Sequence, residues 1–283
     1  MTRVWVKIFA VGLLLLGAAG LAACGVKVGP MQELVIEEPL GGSAVMEVVV
    51  KMGAGSLGVE PGAPGLLSGV IRYNVASWKP TVKRSESRLT IEQGSPRSFA
   101  TWPGSITNQW QLRLGKAPLA LVVTAGAYDG RYELGGLTLT SLHIKDGAAK
   151  ARVTFSEPNP GRLQKFDYET GASTVTLNGL GNANFELLEF TGGAGEYTLD
   201  FSGELRMDGR VRVKTGASKV RLVIPAGVAV QVHVEGSLND VSTEGTWTKT
   251  DKIYRTEIPE GPVKGDLDIV VELSVGKLEL VVQ

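Results

Sequence analysis

Two stretches decide how this chain folds: TGASTVTL at Thr170–Leu177 and TGASKVRL at Thr215–Leu222. Their shared opening has two readings, a phosphate-binding turn or a corner in a repeated β structure. A dinucleotide turn needs further glycines, TGxxxGxG, so that backbone can approach a pyrophosphate, and it must open a helix. Here Thr-Val-Thr-Leu and Lys-Val-Arg-Leu follow, β-branched and alternating, which suits a strand. No βαβ pattern surrounds either copy. The corner reading stands, and nucleotide binding is not expected.

The corner recurs. Gly-Ala pairs fall at Gly53, Gly126, Gly147, Gly171, Gly193 and Gly216, and from the second to the sixth the steps are 21, 24, 22 and 23 residues. Apolar residues sit five and three positions before each glycine, as in Phe166 and Tyr168 or Val211 and Val213. They resume four and six positions after it, as in Val175 and Leu177 or Tyr197 and Leu199. The copies at Gly126 and Gly147 are weaker, and a variant copy around Gly276 closes the chain. Period-two flanks mean strands with one buried face.

The unit is strand, Gly-Ala corner, strand and a second turn, which predicts an all-β, right-handed β-solenoid with coils of about 22 residues. The corner glycines should then stack in a column, with Thr170 and Thr215 as ordinary strand-end residues. An alternative is a β-sandwich of similar hairpins. Leucine-rich repeats share the period, but their consensus does not recur after Leu134-Gly-Gly-Leu137. The 73-residue gap from Gly53 to Gly126 places the first copy outside the tandem array.

The first residues bear on location. MTRVWVK carries Arg3 and Lys7, and an apolar stretch runs from Ile8 to Ala23, short for a membrane span. This reads as a signal peptide over residues 1–23. It ends in Leu21-Ala22-Ala23-Cys24-Gly25, which resembles the lipobox of bacterial lipoproteins; Cys24 is the chain's only cysteine. The resemblance implies an acylated Cys24 as the first mature residue, anchored by two or more acyl chains. Residues 24–43 read as a tether. The mature chain carries 27 basic and 29 acidic residues, with no basic stripe, which argues against nucleic-acid binding.

Residues 44–115 read as an N-terminal subdomain and 116–283 as the repeat array. GAGSLGVEPGAPGLLSGVIRYN, then WKPTV, LTIEQG and NQWQLRLG, is similar to the N-terminal toast-rack domain. GAYDGRYELGGLTLTSLHIKDGAAKARVTF and its successors resemble toast-rack, or adhesin-type, repeats. The resemblance spans most of residues 46–245. It implies a right-handed β-solenoid among envelope and adhesin-like proteins, some tied to the cell-wall antibiotic response, and it supplies no active-site residues.

Catalytic constellations are not visible. His143 and His233 sit between apolar neighbours and should face outward, without a triad or zinc pattern. Gly192-Gly193-Ala194-Gly195-Glu196 has Tyr197 where a calcium nonapeptide needs Asp, so no metal is expected. Asp167, Glu169, Glu186, Glu196 and Asp200 could pair across coils as in β-helix lyases, but alternation places acids outward in any case. Trp110 belongs in the core, and Trp102 and Trp247 are candidate exposed binding aromatics.

The expected function is a lipid-anchored, non-catalytic, adhesin-like or ligand-binding envelope protein without cofactor. It would lie on the outer side of the cytoplasmic membrane or in an outer membrane. Its partners would be the membrane, through Cys24, and a surface, polysaccharide or protein ligand. Alternatives are an envelope-stress sensing module and a carbohydrate-active β-helix enzyme.

Overall fold

The computed structural model describes residues 28–95, 106–236, 238–257 and 265–283. The lipobox at Cys24 and the aromatic candidate Trp102 lie outside the described residues. The strands in chain order are β1 (Val28–Glu38), β2 (Met46–Pro61), β3 (Leu67–Val75), β4 (Thr81–Arg84), β5 (Arg88–Glu92), β6 (Asn108–Leu114), β7 (Leu119–Glu133) and β8 (Leu139–Thr154). They continue as β9 (Leu163–Asn178), β10 (Phe185–Asp200), β11 (Gly209–Ile224), β12 (Ala229–Glu235), β13 (Leu238–Glu244), β14 (Trp247–Thr250), β15 (Ile253–Thr256) and β16 (Asp266–Val282).

All of them join one long, open, β-solenoid-like sheet. Its order is β1-β3-β6-β2-β7-β8-β9-β10-β11-β16-β12-β15-β14, with β5 also beside β2 and β13 beside β16. From β2 through β7, β8, β9, β10 and β11 to β16 every pairing is parallel. The residues that pair are sequence-equivalent: Ala127 faces Ala148, and Ala172 faces Ala194.

The corner differs from the strand-corner-strand expectation in that the ladder runs through it. In β9, Phe166, Tyr168 and Thr170 are buried, Gly171 and Ala172 are both exposed, and Ser173, Val175 and Leu177 are buried. Two adjacent outward residues shift the alternation by one position. The strand therefore bends there, and both arms keep their apolar side toward one core.

The glycines do stack. A Cβ on Gly147, Gly193 or Gly216 would meet the carbonyl oxygen of Gly126, Gly171 or Gly193 at 3.2, 2.5 and 2.8 Å. Gly126 and Gly171 sit closer still to the carbonyls of Gly53 and Gly147. Gly53 thus belongs to the column, because β2 pairs directly with β7 and the intervening residues fold elsewhere. This corrects the reading that excluded it from the array.

Those intervening residues build the N-terminal end. β5 and β6 lie parallel to the two arms of β2. Their missing corner is closed by side chains: Gln93 Oε1 accepts from Gly53 N (2.8 Å) and from Asn108 Nδ2 (2.9 Å), which also donates to Ala54 O (2.5 Å). β3 then pairs antiparallel with β6, β1 with β3, and β4 with β5. At the far end β15 pairs antiparallel with β12 and β14 with β15. These antiparallel layers cap a parallel sheet that would otherwise expose extendable edges.

Three further differences follow. β16, expected as a closing copy, lies between β11 and the β12–β13 pair, so the last strand in sequence is not last in space. Most of the expected tether, from Val28 to Glu38, is strand β1 with Ile36 buried. The expected boundary near residue 115 marks no break, since β2 and β7 form one ladder across it.

Candidate functional site

The corner divides the outward surface into two faces. On the first, parallel register places side chains in rows. His143, Asp167, Glu189 and Arg212 form one row, and Lys145, Glu169, Thr191 and Lys214 the next. Acids and cations mix along and between rows, with Asp167 opposite Glu189 and Lys165 reaching both. Lys145 Nζ lies 2.5 Å from Glu169, and Lys165 Nζ lies 2.6 Å from Glu189 and 3.4 Å from Asp167. Arg212 reaches Glu189 at 3.3 Å, and Lys214 reaches Glu272 at 2.9 Å.

The hydrogen bond from Lys145 holds the Glu169 carboxyl below the usual range, and that from Lys165 does the same to Glu189. A glycosidic general acid needs the opposite shift. Glu186 is likewise engaged, by Arg162 at 3.2 Å and Arg210 at 3.7 Å. This face is electrostatically self-contained.

His143 faces outward as expected, but not alone. The 24-residue offset between β8 and β9 sets Asp167 beside it, with Nδ1 at 3.2 Å from Oδ2. Together with Glu169 their ligand atoms lie within 4.8 Å of one another. Both carboxylates already hold an ammonium, so a metal ion would have to displace Lys165 and Lys145. Spacing along the chain hides this trio because two of its members come from the next strand. The register offset was the signal.

The second face, after the corner, is different near β2, β6, β7 and β8. Gln111, Gly58, Arg131 and Arg152 share one row, and Gln109, Ser56, Asp129 and Lys150 the row beside it. Gly58 lacks a side chain, and a groove of about 580 Å³ opens there. Arg131 and Arg152 are directly opposite on paired strands, a like-charge placement that destabilises a sheet.

Acids nearby are committed elsewhere. Glu60 pairs with Arg113 at 2.8 Å, and Glu133 Oε1 accepts from Gly135 N and Ser156 Oγ at 2.8 and 2.9 Å. Only Asp129 approaches Arg131, at 3.6 Å. Arg152 and Lys150 are exposed and make no ion pair among the described residues.

Beneath the corners lies a polar seam. Asp146 is buried, with Tyr168 Oη donating to Oδ2 at 2.8 Å and Thr170 Oγ1 donating to Oδ1. Ser173 Oγ stands 3.2 Å from Oδ1 and 2.6 Å from Thr170 Oγ1. The second TGAS repeats the staple, with Ser218 Oγ 2.8 Å from Thr215 Oγ1. Thr170 and Thr215 are therefore buried corner residues, not ordinary strand ends. In β10 glycines occupy both staple positions, and the Tyr197 ring fills the space against Gly192 and Gly195. Its hydroxyl has no hydrogen-bond partner among the described residues, and burial raises its pKa to about 12. The Gly192–Glu196 run is thus a corner. The weak copy at Gly130 has the same cause, since the Tyr128 ring lies over that glycine.

Trp110 is fully buried, its indole N–H donating to Asn108 at 2.8 Å. Trp247, expected as an exposed platform, is half-buried against the core and donates to Glu244 O at 3.2 Å. It closes the cap between β13 and β14 because β14 pairs back onto β15.

Solved structures similar to this chain include three of adhesin or lipid-binding description. "Crystal structure of a putative cell adhesion protein from Clostridium sporogenes" is 15% identical over 90% of this chain and 100% of that one, with a TM-score of 0.49. A "putative adhesin from Parabacteroides merdae" is 11% identical over 89% and 96%, with a TM-score of 0.38. A "Putative lipid binding protein from Parabacteroides distasonis" is 8% identical over 89% and 97%, with a TM-score of 0.30. No curated protein matches the chain. Residues 31–164 match the family model described as the N-terminal domain of toast_rack, DUF2154. That stretch carries Gly53, Gly126 and Gly147 of the stacked column, and over it the chain is similar to the toast-rack family.

Proposed function

We propose that this is a lipid-anchored protein of the bacterial cell envelope, held through Cys24, whose sheet is a non-catalytic, adhesin-like binding surface. The observation that carries the reading is the groove over Gly58. Most outward cations elsewhere are matched with acids across the ladder, whereas Arg131 and Arg152 face each other there with Asp129, on the strand of Arg131, as their one acid partner among the described residues. Opposed like charges are retained at a cost to the sheet, and an acidic ligand group relieves it. Gln109, Gln111 and Thr154 add amide and hydroxyl groups to the lining, which suits a hydroxyl-rich, acid-bearing envelope or surface polymer.

The test is binding of the mature chain to fractionated surface polysaccharides, comparing wild type with Arg131→Ala/Arg152→Ala. The double variant should bind at least about tenfold more weakly, as expected for losing charged hydrogen bonds. Equal binding by both proteins would remove the groove from the reading. Pulldown from intact envelope that recovers only a membrane sensor kinase would favour a stress-sensing module instead. Lipidation has its own readout: Cys24→Ala should abolish incorporation of labelled fatty acid.

A further inference from the structure

The lipid anchor and the first strand together place the body on the membrane. We infer that the N-terminal cap docks on the phospholipid surface that holds Cys24, through the outward face of β1 and the loop that follows it. This rests on the proposed lipidation.

The first observation is reach. β1 begins at Val28, which leaves only Gly25–Lys27 between it and the anchor. Four Cα–Cα steps span at most roughly 14 Å. A body so close to the bilayer cannot stand clear of it.

The second is where apolar surface lies. Among the described residues the exposed large hydrophobics are Met31 (54%), Val35 (59%), Leu40 (54%), Val45 (42%) and Val275 (51%). Four of these five belong to β1 and the loop that follows it. The opposite side of β1 turns Leu34 and Ile36 to the core, so Met31 and Val35 are surplus to the fold. Clustered exposed apolar residues mark an interaction site.

The third is topology. β1 is the terminal strand of the sheet and pairs only with β3. The opposite cap, β14, is twelve strand spacings away along the order, roughly 58 Å at 4.8 Å each. Seating β1 on the membrane therefore leaves the distal cap farthest from it.

Charge selects the lipid. Glu33 pairs with Arg72 at 2.8 Å and Glu38 with Arg84 at 2.8 Å, while Glu37 has no ion pair among the described residues. The strip is thus slightly acidic and fits zwitterionic rather than anionic headgroups. A second copy is the weaker occupant, because Pro30 and outward acids on an edge strand oppose strand-to-strand pairing.

The experiment uses the lipidated mature chain in phosphatidylcholine vesicles that carry a nitroxide lipid. Val35→Cys is labelled with an environment-sensitive fluorophore, and Thr250→Cys on β14 serves as the distal control. Cys24, as a thioether, does not react. The Val35 probe should shift to the blue and be quenched at least about twofold more than the control. Equal quenching at both sites overturns the docking. A blue shift that follows protein concentration and ignores the nitroxide overturns it in favour of a second copy. Replacing part of the lipid with phosphatidylglycerol should reduce the quenching, and an increase overturns the zwitterionic preference. Fatty-acid incorporation is measured on the same sample. Without it the anchoring reading fails and the docking with it; with it, an unquenched Val35 probe sinks the docking alone.

Discussion

Substituting Ala along the glycine column tests the corner most directly, because the column supplies its own graded series. None of Gly147, Gly193 and Gly216 has a positive φ, so an added methyl brings a steric contact without backbone strain. At Gly193 the new Cβ would sit 2.5 Å from the Gly171 carbonyl oxygen; at Gly216 and Gly147 the corresponding distances are 2.8 and 3.2 Å. The obstacle is backbone, fixed by ladder hydrogen bonds on both sides, and cannot swing away. Overpacking of this kind costs about 1–3 kcal/mol, and a strained ladder bond adds about 1 kcal/mol. The stiffer unfolded chain returns about 0.4–1 kcal/mol. Gly193→Ala should therefore destabilise by about 2–3 kcal/mol, Gly216→Ala by less, and Gly147→Ala should stay within about 1 kcal/mol of wild type. Urea titration of the mature chain, followed by far-UV circular dichroism, should show the Gly193→Ala midpoint lower by about 1 M. Repeat sheets can unfold stepwise, so midpoints are compared only where slopes agree. If Gly147→Ala is as damaging as Gly193→Ala, carbonyl approach is not what selects glycine, and the reasoning fails.

The polar seam predicts a contrast between two tyrosines. Tyr168→Phe removes a donor to the buried Asp146 and should cost about 1–3 kcal/mol, while Tyr197→Phe removes an unpartnered hydroxyl and should be neutral or stabilising in thermal melts. Glu279 gives a pH dependence. Hydrogen bonds from Lys277, Lys219 and Arg221 bring its pKa down to about 2, with the side chain 12% exposed. A lowered carboxylate contributes stability that is complete above the unfolded value near 4.5 and is lost as pH falls from there toward 2. With its half-exposed partners screened, Glu279→Gln should cost about 1–2 kcal/mol at pH 7. The gap from wild type should close over that acid window; a gap that persists at pH 2 would refute the assignment.

The strands and corners were legible because they are written locally. Alternation of apolar residues fixes a buried face, and the recurring Gly-Ala pair marks where two outward residues interrupt it. Local pattern also identified Trp110 as core and placed His143 outward. What sequence order hid was adjacency. Gly53 and Gly126 are far apart in sequence yet stack, because the chain leaves β2 to build a cap before returning as β7. β16 slips between β11 and β12 for the same kind of reason: a hydrogen-bonded edge accepts any strand of matching pattern, wherever it comes in the chain.

The site followed the same division. Sequence by itself determined a period-two, corner-interrupted β chain with one cysteine after an apolar stretch, since these depend on neighbours a few residues apart. Tertiary structure alone decided that Asp167 stands beside His143, that Arg131 opposes Arg152, and that the expected tether is an edge strand with Met31 and Val35 exposed. Each of these depends on register between strands, which is set by the summed packing of a common core and is not encoded in any one segment.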